Sequence, residues 1–212
     1  MQIINKKLSL DDFKAYISSF NFAPLNPTKI VLHHTWRPTK EQWQGQKSVN
    51  GLKSFYEGKG WSNGPHLFIA EDGIWLFTPM NIQGIHAGTG NTKSIGIEIV
   101  GDYDNEVWTG KTKENVIGVV KALMSKLGIK EDEIKFHRDY STKSCPGKAI
   151  TKEWVLKQLK PEEELKAIDE AQKAYDYKLK LAHDAVDELG KAQAALALLK
   201  GRPIQKFTII TE

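Results

Sequence analysis

Two places in this 212-residue chain carry residue types that bind borderline metal ions. "IVLHHTW" (30–36) ends an apolar run on two adjacent histidines, His33 and His34. "FHRDYSTKSCPGK" (136–148) carries His137 and, across a loop, the chain's single cysteine, Cys145. A loop that returns a thiolate beside an imidazole suits zinc, which takes nitrogen and sulfur ligands in tetrahedral geometry. One histidine of the first stretch would make three protein ligands and leave a fourth position open, which is the catalytic rather than the structural arrangement. Two neutral imidazoles and a thiolate leave about +1 on such a site, enough to acidify bound water and polarise a carbonyl. Neighbouring strand residues face opposite ways, so only one of the two adjacent histidines can serve one metal. With one cysteine, no intrachain disulfide can form.

The elements that must position these residues are legible from patterning. "SLDDFKAYISSF" (9–20) reads as a helix, with Ser9 as N-cap and two aspartates in the first turn. "KIVLHH" (29–34) is β-branched and apolar, a buried strand. A helix is expected over 48–60, and two short strands around the turn "EDG" over 65–79. "SIGIEIVGDY" (94–103) is a further strand, with Ile95, Ile97 and Ile99 alternating with Gly96, Glu98 and Val100. An amphipathic helix over 112–128 closes on a glycine. A short strand at 133–137 and a helix at 149–160 follow. Strands alternating with helices indicate an α/β domain around a central sheet over residues 1–159.

Pro161 marks a change of composition, and residues 160–212 read as a helical extension. Leu165, Ile168, Tyr175, Leu179, Ala182, Val186, Leu189 and Leu196 fall on a 3-4 spacing that Gln172 and Gln193 interrupt. A long helix or helical hairpin with one narrow apolar stripe fits this. Its uses are packing on the domain, self-association as a coiled coil, or contact with a cell envelope. "KFTIITE" at the end reads as an added strand or a frayed terminus.

Bulk composition sets limits. Apolar residues make up 40% and charged ones 26% of the chain, which supports one well-filled domain plus an appendage. A net charge of +4 is compatible with an anionic polymer such as a cell wall. No motif points to nucleic acid. No stretch approaches the roughly 18 apolar residues of a membrane span. "MQIINKKLSLDDF" has no long apolar run and is no secretory signal, so the expectation is synthesis in a cytoplasm and release by another agent.

The residues resemble a known family, the zinc-dependent N-acetylmuramoyl-L-alanine amidases of the phage-lysozyme and peptidoglycan-recognition-protein type. Four ordered motifs across residues 1–159 carry the resemblance: "IVLHHT", "PHLFIAEDG", "GIHAGTGNTKSIGIEIVGDY" and "HRDYSTKSCPG". It implies a central mixed β-sheet flanked by helices and a bound Zn2+ held by His33, His137 and Cys145. His34 is then a supporting residue. It implies cleavage of the amide between N-acetylmuramic acid and L-alanine of the peptidoglycan stem. Glu98 is the candidate base on the strand face opposite the isoleucines. Lys143 is the candidate for stabilising the oxyanion. His86 matches a cleft histidine that contacts substrate, and His66 is a further substrate-binding candidate. Trp36, Trp61, Trp75 and Tyr103 are candidates to line the groove. Arg138 and Lys93 are candidates to meet stem-peptide carboxylates.

One position departs from the pattern. Many catalytic members carry a tyrosine just before the residue matching His66, and here that residue is Pro65. The expected protein is a phage endolysin, made in the host cytoplasm and acting on the cell wall after release. The alternatives are a peptidoglycan-binding protein without catalysis and a cytoplasmic amidase that recycles muropeptides. Pro65 favours the binding reading, and the three metal ligands together favour the enzyme.

Overall fold

The structure, a computed structural model, describes residues 1–201 apart from the side chain at position 162. The stretch "KFTIITE" lies outside the described residues. The chain divides into two compact units, Met1–Leu159 and a second that begins at Lys160.

In the first unit the apolar runs form a six-stranded sheet. Its strands are β1 (Lys6–Leu8), β2 (Lys29–His34), β3 (Leu67–Ala70), β4 (Gly73–Leu76), β5 (Ser94–Ile99) and β6 (Ile134–Phe136). The order across the sheet is β1-β4-β3-β5-β2-β6. Strands β3, β5, β2 and β6 run parallel, and the β3–β4 hairpin adds an antiparallel margin that β1 extends. The sheet is therefore mixed, as expected. β1 was not expected, because three residues with one buried side chain carry no periodicity to read.

Four helices flank the sheet: α1 (Leu10–Ser19), α2 (Gln46–Gly58), α3 (Gly110–Leu127) and α4 (Lys152–Leu159). Ser9 caps α1 as its sequence demands: its Oγ accepts from the Asp12 N–H, and Asp12 answers on the Ser9 N–H. α3 begins two residues before the expected position and ends where Gly128 takes a left-handed conformation at φ +67°. α4 begins later than expected, because residues 144–151 are held in the loop that carries Cys145.

The two faces of the sheet are packed differently. Ile30, Leu32, Leu67, Ile69, Ile95, Ile97 and Ile99 form the main core with α1 and α3. On the opposite face Phe68, Trp75 and Phe77 pack with Val49 and Tyr56 of α2. That second cluster is small. It covers only part of its face and leaves the ends of β5 and β2 beside a cleft.

The second unit is built on one uninterrupted helix, α5 (Glu162–Leu199), and not a hairpin. Gly190 lies inside it without breaking it. Its larger apolar side chains, among them Tyr175, Leu179, Val186, Leu189 and Leu196, are exposed. No helix among the described residues is long and apolar enough to cross a membrane.

Leu32 is fully buried on β2, between the two strands that bring the other site residues into place. Leu32→Ala is expected to lower stability by about 2–5 kcal/mol. The check is a urea unfolding curve whose midpoint falls while its slope stays unchanged.

Candidate metal centre and cleft

Parallel register assembles the site. β2 pairs with β5 so that His33 stands opposite Glu98, and β3 pairs with β5 so that Phe68 stands opposite Glu98. Leu32 stands opposite Phe136 of β6, and His137 is the next residue. Phe68, Glu98 and His33 therefore form a row on the α2 face, with His137 at its end. Open α/β sheets bind ligands at these carboxyl ends of parallel strands.

His33, His137 and Cys145 converge there, with one ligand atom of each within 4.8 Å of the others. The rings of His33 and His137 lie 4.6 Å apart. Cys145 Sγ is 3.7 Å from His33 Nδ1. Tetrahedral zinc with ordinary Zn–N and Zn–S bonds sets such a pair about 3.5 Å apart, so the donor set and its spacing fit the ion. The backbone N–H of His34 donates to Cys145 Sγ at 3.3 Å, a contact that favours thiolate. His34 itself turns away, and its Nδ1 accepts from the Tyr103 N–H at 3.1 Å. It is not part of the convergent cluster, in keeping with the opposed faces of a strand.

Arg138 holds the Cys145 loop. Its guanidinium donates to the carbonyls of Ser144 and Gly147, at 3.0 and 2.9 Å, and to that of Ile150. Three of its five N–H donors are thus tied to the loop, and Arg138 is not among the residues that line the cleft. Thr35, next after the two histidines, accepts from the Gly101 N–H at 3.0 Å and donates to the Pro38 carbonyl at 2.8 Å. It ties the end of β2 to the chain leaving β5.

The cleft encloses about 510 Å³ and is lined by His34, Thr35, Trp36, Phe55, Tyr56, Lys59, Trp61, Ile85, His86, Glu98, Asp104, His137, Lys143, Ser144 and Cys145. Glu98 and Lys143 lie on it, as expected. Glu98 Oε1 is 3.9 Å from His33 Nδ1. Glu98 Oε2 is buried and has no hydrogen-bond partner among the described residues. Burial pushes the Glu98 carboxyl up to about 8, against the opposing pull of the Lys143 cation. Lys143 is exposed at the rim.

Burial holds the histidines neutral. His33 is driven well below the usual histidine range by burial and then by the charges of His86 and His137. His86 is lowered in the same way, by burial, His66 and His137. The Cys145 thiol is pushed up by burial and by Glu98, so a thiolate there calls for a cation.

Other expectations need correction. His66 does not line the cleft. It is fully buried, its Nδ1 accepts from the Gly96 N–H at 2.9 Å, and its Nε2–H donates to the Ile82 carbonyl at 3.0 Å. Both nitrogens serve the backbone, so its role is structural and not substrate-binding. Trp75 packs in the second core with Trp43, and Tyr103 is buried with its hydroxyl on the Val100 carbonyl. Of the four aromatic candidates only Trp36 and Trp61 line the cleft.

Tyr56 was missed. It leaves α2, stacks on Trp61 with ring centroids 5.2 Å apart, and lines the cleft. Burial, then the charges of Glu98 and Cys145, push its hydroxyl well above the usual tyrosine range, so it stays a neutral donor. On the sequence it reads only as one apolar position of a helix. The segment "NTKS" shapes the loop before β5. Asn91 Oδ1 accepts from the N–H groups of His86 and Ala87, at 3.0 and 2.7 Å, and fixes the loop that carries His86. Gly96 lies beneath the His86 ring, where a Cβ would come within 2.4 Å of it.

Sheet and cluster together describe an α/β protein able to hold a three-ligand metal ion beside a cleft. Residues 23–148 match the model of the Amidase_2 family, N-acetylmuramoyl-L-alanine amidase. The chain belongs to that family. It is 30% identical over 129 residues to the N-acetylmuramoyl-L-alanine amidase CwlH of Bacillus subtilis, covering 58% of this chain and 49% of that protein. It is 33% identical over 89 residues to XlyA of the same organism, covering 40% of this chain and 29% of that one. The chain thus spans about half the length of CwlH and less of XlyA. Among solved structures it resembles the endolysin amidase LysCS of Clostridium intestinale, with 29% identity, a TM-score of 0.52, and coverage of 62% of this chain and 82% of that one. It also resembles Drosophila PGRP-LB, with 25% identity, a TM-score of 0.52, and coverage of 57% and 75%.

Buried neutral His66 makes stability depend on pH. Its folded pKa is lowered to about 4 by burial, against 6.5 for an unperturbed histidine. The unfolded chain therefore binds the proton first as pH falls, and stability is lost between pH 6.5 and 4. The contribution of His66 is on the order of 3 kcal/mol. Urea midpoints of metal-free protein across that range are expected to fall less steeply for His66→Gln than for the natural chain.

Proposed function

We propose that this protein is a zinc-dependent N-acetylmuramoyl-L-alanine amidase that degrades bacterial peptidoglycan. The observation that carries the reading is the convergence of His33, His137 and Cys145 beside the orphaned oxygen of Glu98. His33, His137 and Cys145 would hold Zn2+, which polarises a carbonyl and lowers the pKa of water towards neutrality when bound. Glu98 Oε2 is the proton acceptor. It takes the proton of the attacking water and returns it to the nitrogen of the departing alanine as the carbonyl–nitrogen bond breaks. A carboxyl tuned near neutral pH suits both transfers. Lys143 at the rim meets negative charge that develops on the carbonyl oxygen. Tyr56 offers a neutral hydroxyl from the opposite wall. Trp36 and Trp61 give the sugar and peptide apolar surfaces to lie against.

The similarity to an endolysin supports release of the protein onto the wall of a bacterial host at lysis. A Drosophila PGRP-LB mutant has been solved in complex with tracheal cytotoxin, which supports a muropeptide as the occupant of the cleft here. Pro65 favours binding without cleavage, and the test separates the two readings. Purified protein is expected to carry one zinc per chain and to release new alanine amino groups from purified peptidoglycan, with loss on chelation. Cys145→Ser is expected to lose metal and activity together. Glu98→Gln is expected to keep the metal and lose about 10²–10⁴ in kcat. Zinc without cleavage in the natural chain would move the protein to the binding class.

The helix α5 carries a second reading. Its stripe from Leu165 to Leu196 keeps a heptad spacing with glutamine at positions 172 and 193, and Tyr175, Leu179, Val186, Leu189 and Leu196 are exposed. A second copy of the same helix fits such a stripe by knobs-into-holes packing. Sedimentation equilibrium is expected to give a dimer. Paired Leu179→Lys and Leu189→Lys substitutions should return a monomer with unaltered hydrolysis of soluble muropeptide. A natural chain that sediments as a monomer would leave the stripe to envelope contact.

A further inference from the structure

His86 faces the cleft, yet its ring is engaged on both sides. Its Nδ1 lies 2.9 Å from His33 Nε2, and its Nε2 lies 3.2 Å from Ser94 Oγ. Ser94 Oγ in turn lies 3.0 Å from the Asn91 carbonyl oxygen. A carbonyl can only accept, so the single hydroxyl hydrogen of Ser94 goes to Asn91. His86 Nε2 must then donate to Ser94. A neutral imidazole that donates from Nε2 accepts at Nδ1, so His33 Nε2 donates to His86. The His33 Nδ1 lone pair is left facing Cys145 Sγ.

At the far end Cys145 Sγ lies 3.7 Å from His33 Nδ1, within reach of the lone pair that this tautomer leaves there. Each link is buried: His33, His86 and Ser94 are all 7% exposed or less. Water cannot readily replace a lost partner in such a place. The loop side is equally determined, since Asn91 clamps the backbone of His86 and Ala87, and Gly96 leaves the ring its space.

We propose that His86 is a positioning residue: the chain Asn91–Ser94–His86–His33 locks His33 in the tautomer whose Nδ1 is free to bind the metal ion. This rests on the metal reading above and adds to it. It gives His86 a role toward the ligand rather than toward the substrate. It also explains why the serine stands eight residues after the histidine on an adjoining strand.

Two near-isosteric substitutions isolate the acceptor. Asparagine at 86 presents an oxygen where Nδ1 stood, and leucine presents a methyl of similar shape. His86→Leu is expected to weaken zinc binding about 10–100-fold in competition with a chromophoric chelator, and His86→Asn to stay within about 3-fold of the natural chain. Ser94→Ala, which leaves the ligands and the ring in place, is expected to weaken binding by about 10-fold. The second readout is the ring-nitrogen NMR spectrum of metal-free protein at pH 7.5, where His33 and His86 should both carry the proton on Nε2. In Ser94→Ala both rings should become mixtures of tautomers. Equal zinc affinity in the leucine and asparagine variants, both folded, would overturn the proposal. So would a His33 that carries its proton on Nδ1. If the natural chain binds no zinc, the metal reading falls. The ring spectra then decide the relay alone: Nε2 protons on both rings support it, and an Nδ1 proton on His33 overturns it.

Discussion

Everything at the site depends on the register between parallel strands β2 and β5. Side chains alternate along a strand, so a slip of one residue would send His33 and Glu98 to the opposite face. That face is the main core, where Ile30, Leu32, Ile95, Ile97 and Ile99 now sit. The isoleucine rows therefore secure the polar row behind them. Burying five large apolar residues on one face dictates which residues stand together on the other. The sheet packs a core and aligns a site with the same set of hydrogen bonds.

The cost of that arrangement is desolvation. His33, His86, His66, Glu98 and Cys145 are removed from most of their water and each moves towards its neutral form. A buried polar group must be satisfied or it destabilises the fold. The structure meets this need in two ways. His66 and His34 are bound to backbone groups, and the Asn91–Ser94–His86–His33 chain absorbs one side of the cluster. Cys145 Sγ and Glu98 Oε1 lie 3.7 and 3.9 Å from His33 Nδ1, and Glu98 Oε2 has no hydrogen-bond partner among the described residues. The atom left unpartnered at this cluster belongs to a carboxyl, a group that can hold a proton.

The loop that delivers Cys145 shows the same economy. Arg138 spends its donors on three carbonyls of the loop, so a residue next to one ligand fixes the path of the chain to another. Its charge is used for shape. The rim is left to Lys143, Trp36 and Trp61, which remain open to a substrate.

The sequence alone determined the elements whose pattern is local. The apolar β2 run, the Ser9-capped α1, the glycine that closes α3 and the heptad of α5 each follow from neighbours a few residues apart. It also named His33, His137 and Cys145, because ordered motifs preserve residue type and spacing. Only the tertiary structure decided which polar residues are spent and which are free. His66, Arg138, Trp75 and Tyr103 looked available because their types are those of binding sites. His66 is occupied by backbone groups 16 and 30 positions away, Arg138 and Tyr103 by carbonyls of their own loops, and Trp75 by the second core. Tyr56 reads as one apolar position of a helix, and only the fold shows that a residue of the second core also lines the cleft. Availability is a property of three-dimensional competition for hydrogen bonds and cover, and a linear pattern does not record that competition.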